Sequence, residues 1–212
     1  MKALADCRLY TFVDTAYLYG RMPEVVAQQL CDGGSDLIQL RAKNSSSEEI
    51  RRMAENILPI TKRANVGLVI NDYRDIALDL GAEFCHLGQE DFFDAGHKGV
   101  GEFKTKSSKL KIGLSTHTPE QAKRALEAKA DYIAIGPVFA TGTKPSAKPV
   151  TLEYARWAAA NVTMPWFAIG GINLKTVDEV VAAGAKRICV VSAILNAPDV
   201  AKACREFTKK LR

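Results

Sequence analysis

Two short apolar runs in this chain stop abruptly on acidic and amide side chains. Leu68-Val69-Ile70 runs into Asn71 and Asp72, and His86-Leu87-Gly88-Gln89 runs into Glu90 and Asp91. Runs of that length read as buried strands, and a buried strand gains nothing by ending on carboxylates unless they bind something. If the two strands are parallel neighbours, Asp72 and Asp91 sit at the same end of one sheet. Two carboxylates facing one cavity repel each other unless a cation or a shared proton lies between them. Arg41, Lys43 and Lys144 also follow apolar runs and would converge on the same mouth. Three cations and two metal-type carboxylates suit a pyrophosphate with Mg²⁺. The carboxylates hold the metal, phosphate oxygens and water complete its octahedron, and Arg and Lys neutralise the remaining charge. The same residues could instead form a ring of ion pairs at a barrel rim.

These residues need a frame that brings strand ends together. Strand-like segments fall at 8–13, 37–41, 67–70, 84–87, 111–115, 132–136, 166–169 and 187–191. Helix-like segments fall between them at 23–32, 47–64, 73–80, 119–128, 152–160, 174–183 and 198–210. Several have N-terminal signals: Ser45 to Ser47 before Glu48 and Glu49, Thr118 before Pro119 and Glu120, and Asn173 before Leu174. Gly81-Ala82, Lys129-Ala130 and Gly184-Ala185 look like helix C-caps feeding strands. Residues 94–109 are Gly- and Lys-rich and read as a loop or a poor helix. Eight strands with crossover helices predict a single (β/α)₈ barrel of the TIM type spanning 1–212, compact beside the roughly 250 residues typical of that fold. An open doubly wound sheet is the alternative.

In a barrel of this type the active site lies at the C-terminal ends of the strands. Polar and glycine residues gather there along nearly the whole chain: Gln39 to Lys43, Asn71-Asp72, Gly88 to Asp91, Ser115 to His117, Gly136-Pro137, Gly170-Gly171 and Val191-Ser192. The last two pairs occupy the positions where many barrels bind a phosphate through backbone amides. Glycine lets the backbone approach the anion, and a following helix N-terminus adds donors. The loop at 140–149, with Thr141, Thr143 and Lys144, is long and polar and suits a substrate cover. His117 is a candidate acid–base group or a hydrogen-bonded supporting residue, with the second reading preferred. His86 lies in a strand and could face the barrel interior, His97 lies in the irregular stretch, and Trp157 and Trp166 pack against the sheet.

Composition narrows the class. Of 212 residues, 47% are hydrophobic and 25% charged, which describes an ordinary globular protein. No apolar run reaches the length of a membrane span, and residues 1–8 do not resemble a signal peptide, so the expectation is a cytoplasmic protein without membrane contact. The five cysteines are odd in number, scattered and without a C-x-x-C pair, against both a disulfide framework and a structural zinc site. The net charge of +5 is mild, and the basic runs at 104–111 and 209–212 read as solvated surface rather than a nucleic-acid footprint. Small anionic substrates are the expected partners; the oligomeric state, a homo-oligomer included, is left open.

The motifs Gln39-Leu40-Arg41-x-Lys43, Ile70-Asn71-Asp72, His86-Leu87-Gly88-Gln89-Glu90-Asp91, Ser115-Thr116-His117-Thr118, Gly136-Pro137, Thr141-x-Thr143-Lys144, Ile169-Gly170-Gly171-Ile172 and Val191-Ser192-Ala193-Ile194 together resemble those of the thiamine-phosphate synthase family, in family order from about residue 10 to residue 194. The resemblance implies a (β/α)₈ barrel. It also implies a transferase that joins hydroxymethylpyrimidine diphosphate to hydroxyethylthiazole phosphate, with or without a carboxylate on the thiazole, giving thiamine phosphate and pyrophosphate by dissociative substitution. Carried over position by position, Asp72 and Asp91 would hold one Mg²⁺. Gln39, Arg41, Lys43, Asn71, Ser115 and Lys144 would grip the pyrimidine diphosphate, with Arg41, Lys43, Ser115 and Lys144 as the catalytic set. Thr141, Thr143, Gly171, Val191 and Ser192 would bind the thiazole phosphate, and Leu40, Ala42 and Gly142 fall within these binding segments. Residue 42 is Ala where the family commonly has an acidic residue, and residues 92–110 match poorly. Two other readings on the same scaffold are a thiazole tautomerase, working by proton transfer without Mg²⁺, and a non-catalytic phosphate-binding regulator. The intact metal and pyrophosphate set argues against both.

Overall fold

Alternation of buried strands with one-faced helices resolves into a closed barrel. A computed structural model describes residues 1–104, 109–142 and 148–211. The strands are β1 (Leu9–Asp14), β2 (Leu37–Arg41), β3 (Gly67–Asn71), β4 (Phe84–Leu87), β5 (Lys111–Thr116), β6 (Tyr132–Ile135), β7 (Trp166–Ala168) and β8 (Ile188–Cys189). Each pairs in parallel with the next, and β8 closes on β1 through Leu9 opposite Ile188 and Tyr10 opposite Cys189. The closed order excludes the open doubly wound sheet. All eight expected strands are present, with ends displaced by at most two residues.

The helices are α1 (Pro23–Asp32), α2 (Ser47–Arg63), α3 (Arg74–Leu80), α4 (Gln89–Asp94), α5 (Pro119–Glu127), α6 (Thr151–Asn161), α7 (Val177–Ala182), α8 (Ser192–Leu195) and α9 (Val200–Lys210). Helix α2 shows how they are specified. Ser46 and Glu49 form a reciprocal capping box, and Ile50, Ala54, Ile57 and Thr61 make a stripe of helical period that is buried against the sheet. Thr118 caps α5 through the N–H of Gln121, and Asp199 caps α9 through that of Lys202. Residues 174–176, expected to open the helix at 174–183 behind Asn173, are instead a turn in which Asn173 Oδ1 accepts from the Lys175 N–H (2.8 Å), and α7 begins at Val177.

Helices α4 and α8 were not expected. They are six and four residues long, too short to show a period, and each begins among residues that read as strand-end loops. The irregular stretch at 94–109 contains a 3₁₀ turn, Val100–Phe103. Glu102 pins it by accepting from the N–H groups of Lys98 and Gly99 and pairing with His97 Nδ1 at 2.8 Å. Phe92, His97 and Phe103 close over it as an aromatic cluster.

The barrel interior is filled by rings. Tyr10 stacks on Phe12 at 5.3 Å between centroids and meets Phe167 edge-on at 5.3 Å, and Tyr132 meets Phe84 and Phe167 edge-on at 6.1 and 5.8 Å. All five cysteines are free, four of them buried. No helix among the described residues is long and apolar enough to cross a membrane.

Candidate active site

A cavity of about 280 Å³ opens at the C-terminal ends of the strands. Alternation along β2 and the turn after it points Gln39, Arg41 and Lys43 into this space, while Leu40 and Ala42 are buried in the apolar layer outside the barrel. Asn71 and Asp72 enter from β3, Asp91 from α4 and Ser115 from β5.

Asp72 is held in the left-handed region (φ 65°), with its N–H donating to the His86 carbonyl at 2.9 Å. This unusual backbone turns its carboxylate toward the mouth. Asp72 Oδ2 accepts from Lys43 Nζ at 2.6 Å and from Asn71 Nδ2 at 2.7 Å; among the described residues Oδ1 accepts nothing. Asp91 lies in the first turn of α4, and Gly88 gives it room: a Cβ there would stand 2.5 Å from Asp91 Oδ2. Arg41 donates from Nη1 to Asp14 Oδ2 at 2.8 Å. Asp14 is 1% exposed, and its other oxygen accepts from the Ala16 N–H at 3.1 Å. The ion-pair reading of the rim therefore holds in part, since Arg41 and Lys43 each have a carboxylate partner.

No group of three or more His, Cys, Asp or Glu side chains that could hold a metal occurs among the described residues. A pair of carboxylates facing one cavity, with Oδ1 of Asp72 unengaged, is a donor set that fits Mg²⁺, which is commonly bound through one or two carboxylates together with substrate phosphates and water.

The other wall is built from backbone. Gly170 (φ 102°) and Gly171 (φ 65°) adopt conformations that other residues rarely take. They also lie against the β6 loop: a Cβ on Gly170 would stand 2.3 Å from Pro137 Cβ, and one on Gly171 2.6 Å from the Ala140 carbonyl. Val138 and Phe139 donate to the carbonyls of Ile169 and Gly170 at 2.8 and 3.1 Å, joining the two loops. Among the described residues no backbone carbonyl accepts from the N–H of Gly171, Ser192 or Ala193. Gly171 and Ser192 line the cavity together with Thr141 and Val191.

A family model for thiamine monophosphate synthase matches residues 9–194. The chain belongs to the thiamine-phosphate synthase family. It is 38% identical over 208 residues to the thiamine-phosphate synthase of Lawsonia intracellularis, covering 97% of this chain and 93% of that one. It is 43% identical over 180 residues to that of Thermus thermophilus, covering 84% of each. The solved thiamine phosphate pyrophosphorylase of Pyrococcus furiosus superposes with a TM-score of 0.84 at 29% identity, covering 98% of this chain and 96% of that chain. The activity is accordingly that of a thiamine-phosphate synthase, a transferase of thiamine biosynthesis.

Of the positions singled out in the sequence, Gln39, Arg41, Lys43, Asn71, Asp72, Asp91, Ser115, Thr141, Gly171, Val191 and Ser192 all line the one cavity. Leu40 and Ala42 do not, because the strand period turns them outward, and Gly142 stands outside the lining. Thr143 and Lys144 lie outside the described residues. His117 lines the cavity and donates its Nδ1–H to the Gly136 carbonyl, while its own N–H donates to Gln121 Oε1 at 2.6 Å. These contacts are those of a hydrogen-bonded supporting residue.

Sequence reasoning missed Asp14, although the criterion that found Asp72, a carboxylate ending an apolar run, applies to it equally. It also left His86 without a role. His86 is buried, faces the cavity floor, and touches Tyr132 Oη through Nδ1 and Ser115 Oγ through Nε2, both at 3.3 Å. Burial pushes its pKa down to about 4, against a smaller opposing pull from Asp72, so the imidazole is neutral at pH 7.

Proposed function

We propose that the two walls of the cavity are two subsites for one substitution. The charged wall takes the pyrimidine diphosphate: Arg41 and Lys43 meet its phosphate oxygens, and Gln39, Asn71 and Ser115 hydrogen-bond it; Lys144, outside the described residues, is assigned to the same diphosphate on the family resemblance alone. The backbone wall takes the thiazole phosphate on the N–H groups of Gly171 and Ser192, with Val191 and Thr141 around it; Thr143, outside the described residues, is assigned to the same phosphate on the family resemblance alone. Asp72 and Asp91 hold Mg²⁺, which when bound neutralises charge on the diphosphate oxygens.

The reaction breaks the bond between the pyrimidine methylene carbon and the diphosphate oxygen, and pyrophosphate leaves with the electron pair. The aminopyrimidine ring stabilises the methylene cation until the thiazole nitrogen donates its lone pair to that carbon. No strong base or covalent nucleophile is required. Arg41 and Lys43 stabilise charge that grows on the leaving group, and the backbone wall holds the second substrate in line. The observation that carries this reading is that a cation–carboxylate cluster and two joined glycine loops line a single cavity.

The test mixes purified protein with both phosphorylated substrates, in Mg²⁺ and in EDTA, and follows thiamine phosphate as fluorescent thiochrome. Product only with Mg²⁺ is the expected result. Product at full rate in EDTA would overturn the metal assignment. Absence of product from folded protein would move the reading to a tautomerase, checked by isomerisation of the thiazole phosphate.

A further inference from the structure

At the floor of the cavity five polar side chains from five strands touch in a single file. Gln39 Nε2 donates to Tyr10 Oη. Tyr10 Oη meets Tyr132 Oη at 3.4 Å, Tyr132 Oη meets His86 Nδ1 at 3.3 Å, and His86 Nε2 meets Ser115 Oγ at 3.3 Å. Ser115 Oγ lies 3.3 Å from the Leu87 carbonyl. A file of this kind has a direction, and its two ends determine it. A carbonyl only accepts, so Ser115 donates to Leu87; an amide nitrogen only donates, so Tyr10 accepts from Gln39. His86 Nε2 must then carry the proton and donate to Ser115, and Nδ1, bare in the neutral ring, accepts from Tyr132. Tyr132 in turn accepts from Tyr10. In this direction every hydroxyl gives one hydrogen and takes one. In the opposite direction Tyr10 Oη would receive two donors, and its own buried proton would have no acceptor.

We infer that Tyr132 is a positioning residue for the reaction, holding His86 as the Nε2–H tautomer so that the Ser115 hydroxyl meets the substrate as a donor. Tyr132 is fully buried and does not line the cavity, whereas Tyr10, Gln39, His86 and Ser115 do. The adjoining strand is shaped around it: Gly113 stands opposite Tyr132 in the register, and a Cβ at 113 would lie 2.1 Å from Tyr132 Cζ. The consequence is chemical. With a Ser115 lone pair occupied by the His86 N–H, the serine proton can swing from the Leu87 carbonyl to an anionic oxygen. If His86 Nε2 were the bare nitrogen, that proton would be spent on the imidazole. This step rests on the proposed contact of Ser115 with the diphosphate.

The experiment has two arms. In the first, ¹⁵N NMR of the histidine rings in the unmodified protein at pH 7, with His86 assigned by loss of the His97→Asn and His117→Asn signals, is expected to show Nε2 protonated and Nδ1 bare. A His86 protonated on Nδ1 would overturn the inference with the file itself left unaltered. In the second, Tyr132→Phe keeps the ring and removes one neutral buried hydrogen bond, so kcat is expected to fall about five- to tenfold, with the KM for thiazole phosphate unchanged. In a Ser115→Ala background the same change should have no effect on kcat, which a merely structural loss would not reproduce. An equal loss in both backgrounds, or no loss in either, would overturn the inference. Full turnover by Ser115→Ala alone would instead overturn the proposed role of Ser115, leaving the tautomer readout to judge the file itself.

Discussion

Gly113→Ala is a one-carbon change whose sign is informative. In a strand with ordinary backbone angles, replacing glycine by alanine stabilises a protein by about 0.4–1 kcal/mol, because the unfolded chain has less freedom to lose. At 113 the added Cβ would stand 2.1, 2.4 and 2.5 Å from Tyr132 Cζ, Cε2 and Cε1. That ring cannot turn aside, since Tyr10, Phe84 and Phe167 surround it with centroids at 6.2, 6.1 and 5.8 Å. Overpacking a closed core costs about 1–3 kcal/mol, and the rigid surroundings place this case at the upper end. The net expectation is a loss of about 2 kcal/mol, or about 4–8 °C in Tm for a domain of this size.

Urea unfolding followed by circular dichroism reads the change as a lower midpoint at unchanged slope. Any displacement of Tyr132 also moves its hydroxyl from His86, so turnover should fall with stability. A Gly113→Ala protein as stable as the parent, or more stable, would refute both the packing account and the fixed placement of Tyr132.

Other expectations follow from the site. Asp72→Asn and Asp91→Asn should each lower turnover on the order of 100-fold and raise the Mg²⁺ concentration needed for half-maximal rate, with circular dichroism unchanged; full activity in either would remove that residue from the metal site. Ser192→Asp should raise the KM for thiazole phosphate far more than that for the diphosphate, because it sets an anion beside an anion site; equal loss of both would contradict two subsites. Stability in EDTA should respond to pH through His86, whose folded pKa of about 4 lies below the ordinary value of 6.5. The unfolded chain then binds the proton first, so stability is at its fullest above about pH 6.5 and falls by about 1.4 kcal/mol per pH unit down to about pH 4. His86→Asn should lose this part of the slope in urea unfolding, and identical slopes would argue against a buried neutral imidazole.

The barrel was legible because its signals are local. Apolar runs of strand length and the capping residues Ser46 and Thr118 each specify an element without reference to distant chain, whereas the cap of α9, Asp199, went unread and Asn173 marked a turn rather than a helix start. The cavity wall was legible because strand ends are marked by a change of residue type, from Ile70 to Asn71 or from Leu87 to Gly88. The short helices α4 and α8 were not, since six and four residues carry no period. Leu40 and Ala42 were drawn into the site by adjacency, although a period of two turns alternate residues away from their neighbours. The polar file was illegible for a different reason. Tyr10 and Tyr132 read as ordinary core aromatics, and only barrel closure brings residues 122 positions apart to 3.4 Å between hydroxyls.

The two walls differ in how they can recognise an anion, and that difference bears on the reaction. From β2 to β5 the cavity is lined by long or charged groups such as Arg41, Lys43, Asn71 and Asp72; from β6 to β8 it is lined by Ala134, Gly136, Ile169, Gly171, Cys189 and Val191. In the proposed subsites the first wall acts through side-chain charge, the second through backbone N–H groups that glycine leaves uncovered. On the proposed reading this separation is what a dissociative substitution needs. Pyrophosphate departs toward the wall that can stabilise its growing charge. The methylene cation is left beside a surface whose strand positions carry no carboxylate. Exchanging a cation between walls would then cost more than its charge alone: a lysine at Gly171 would need φ 65° and would collide with Phe139 Cβ at 2.7 Å. The lining that recognises the second substrate is therefore fixed by backbone geometry, while that for the first is open to tuning by side chain.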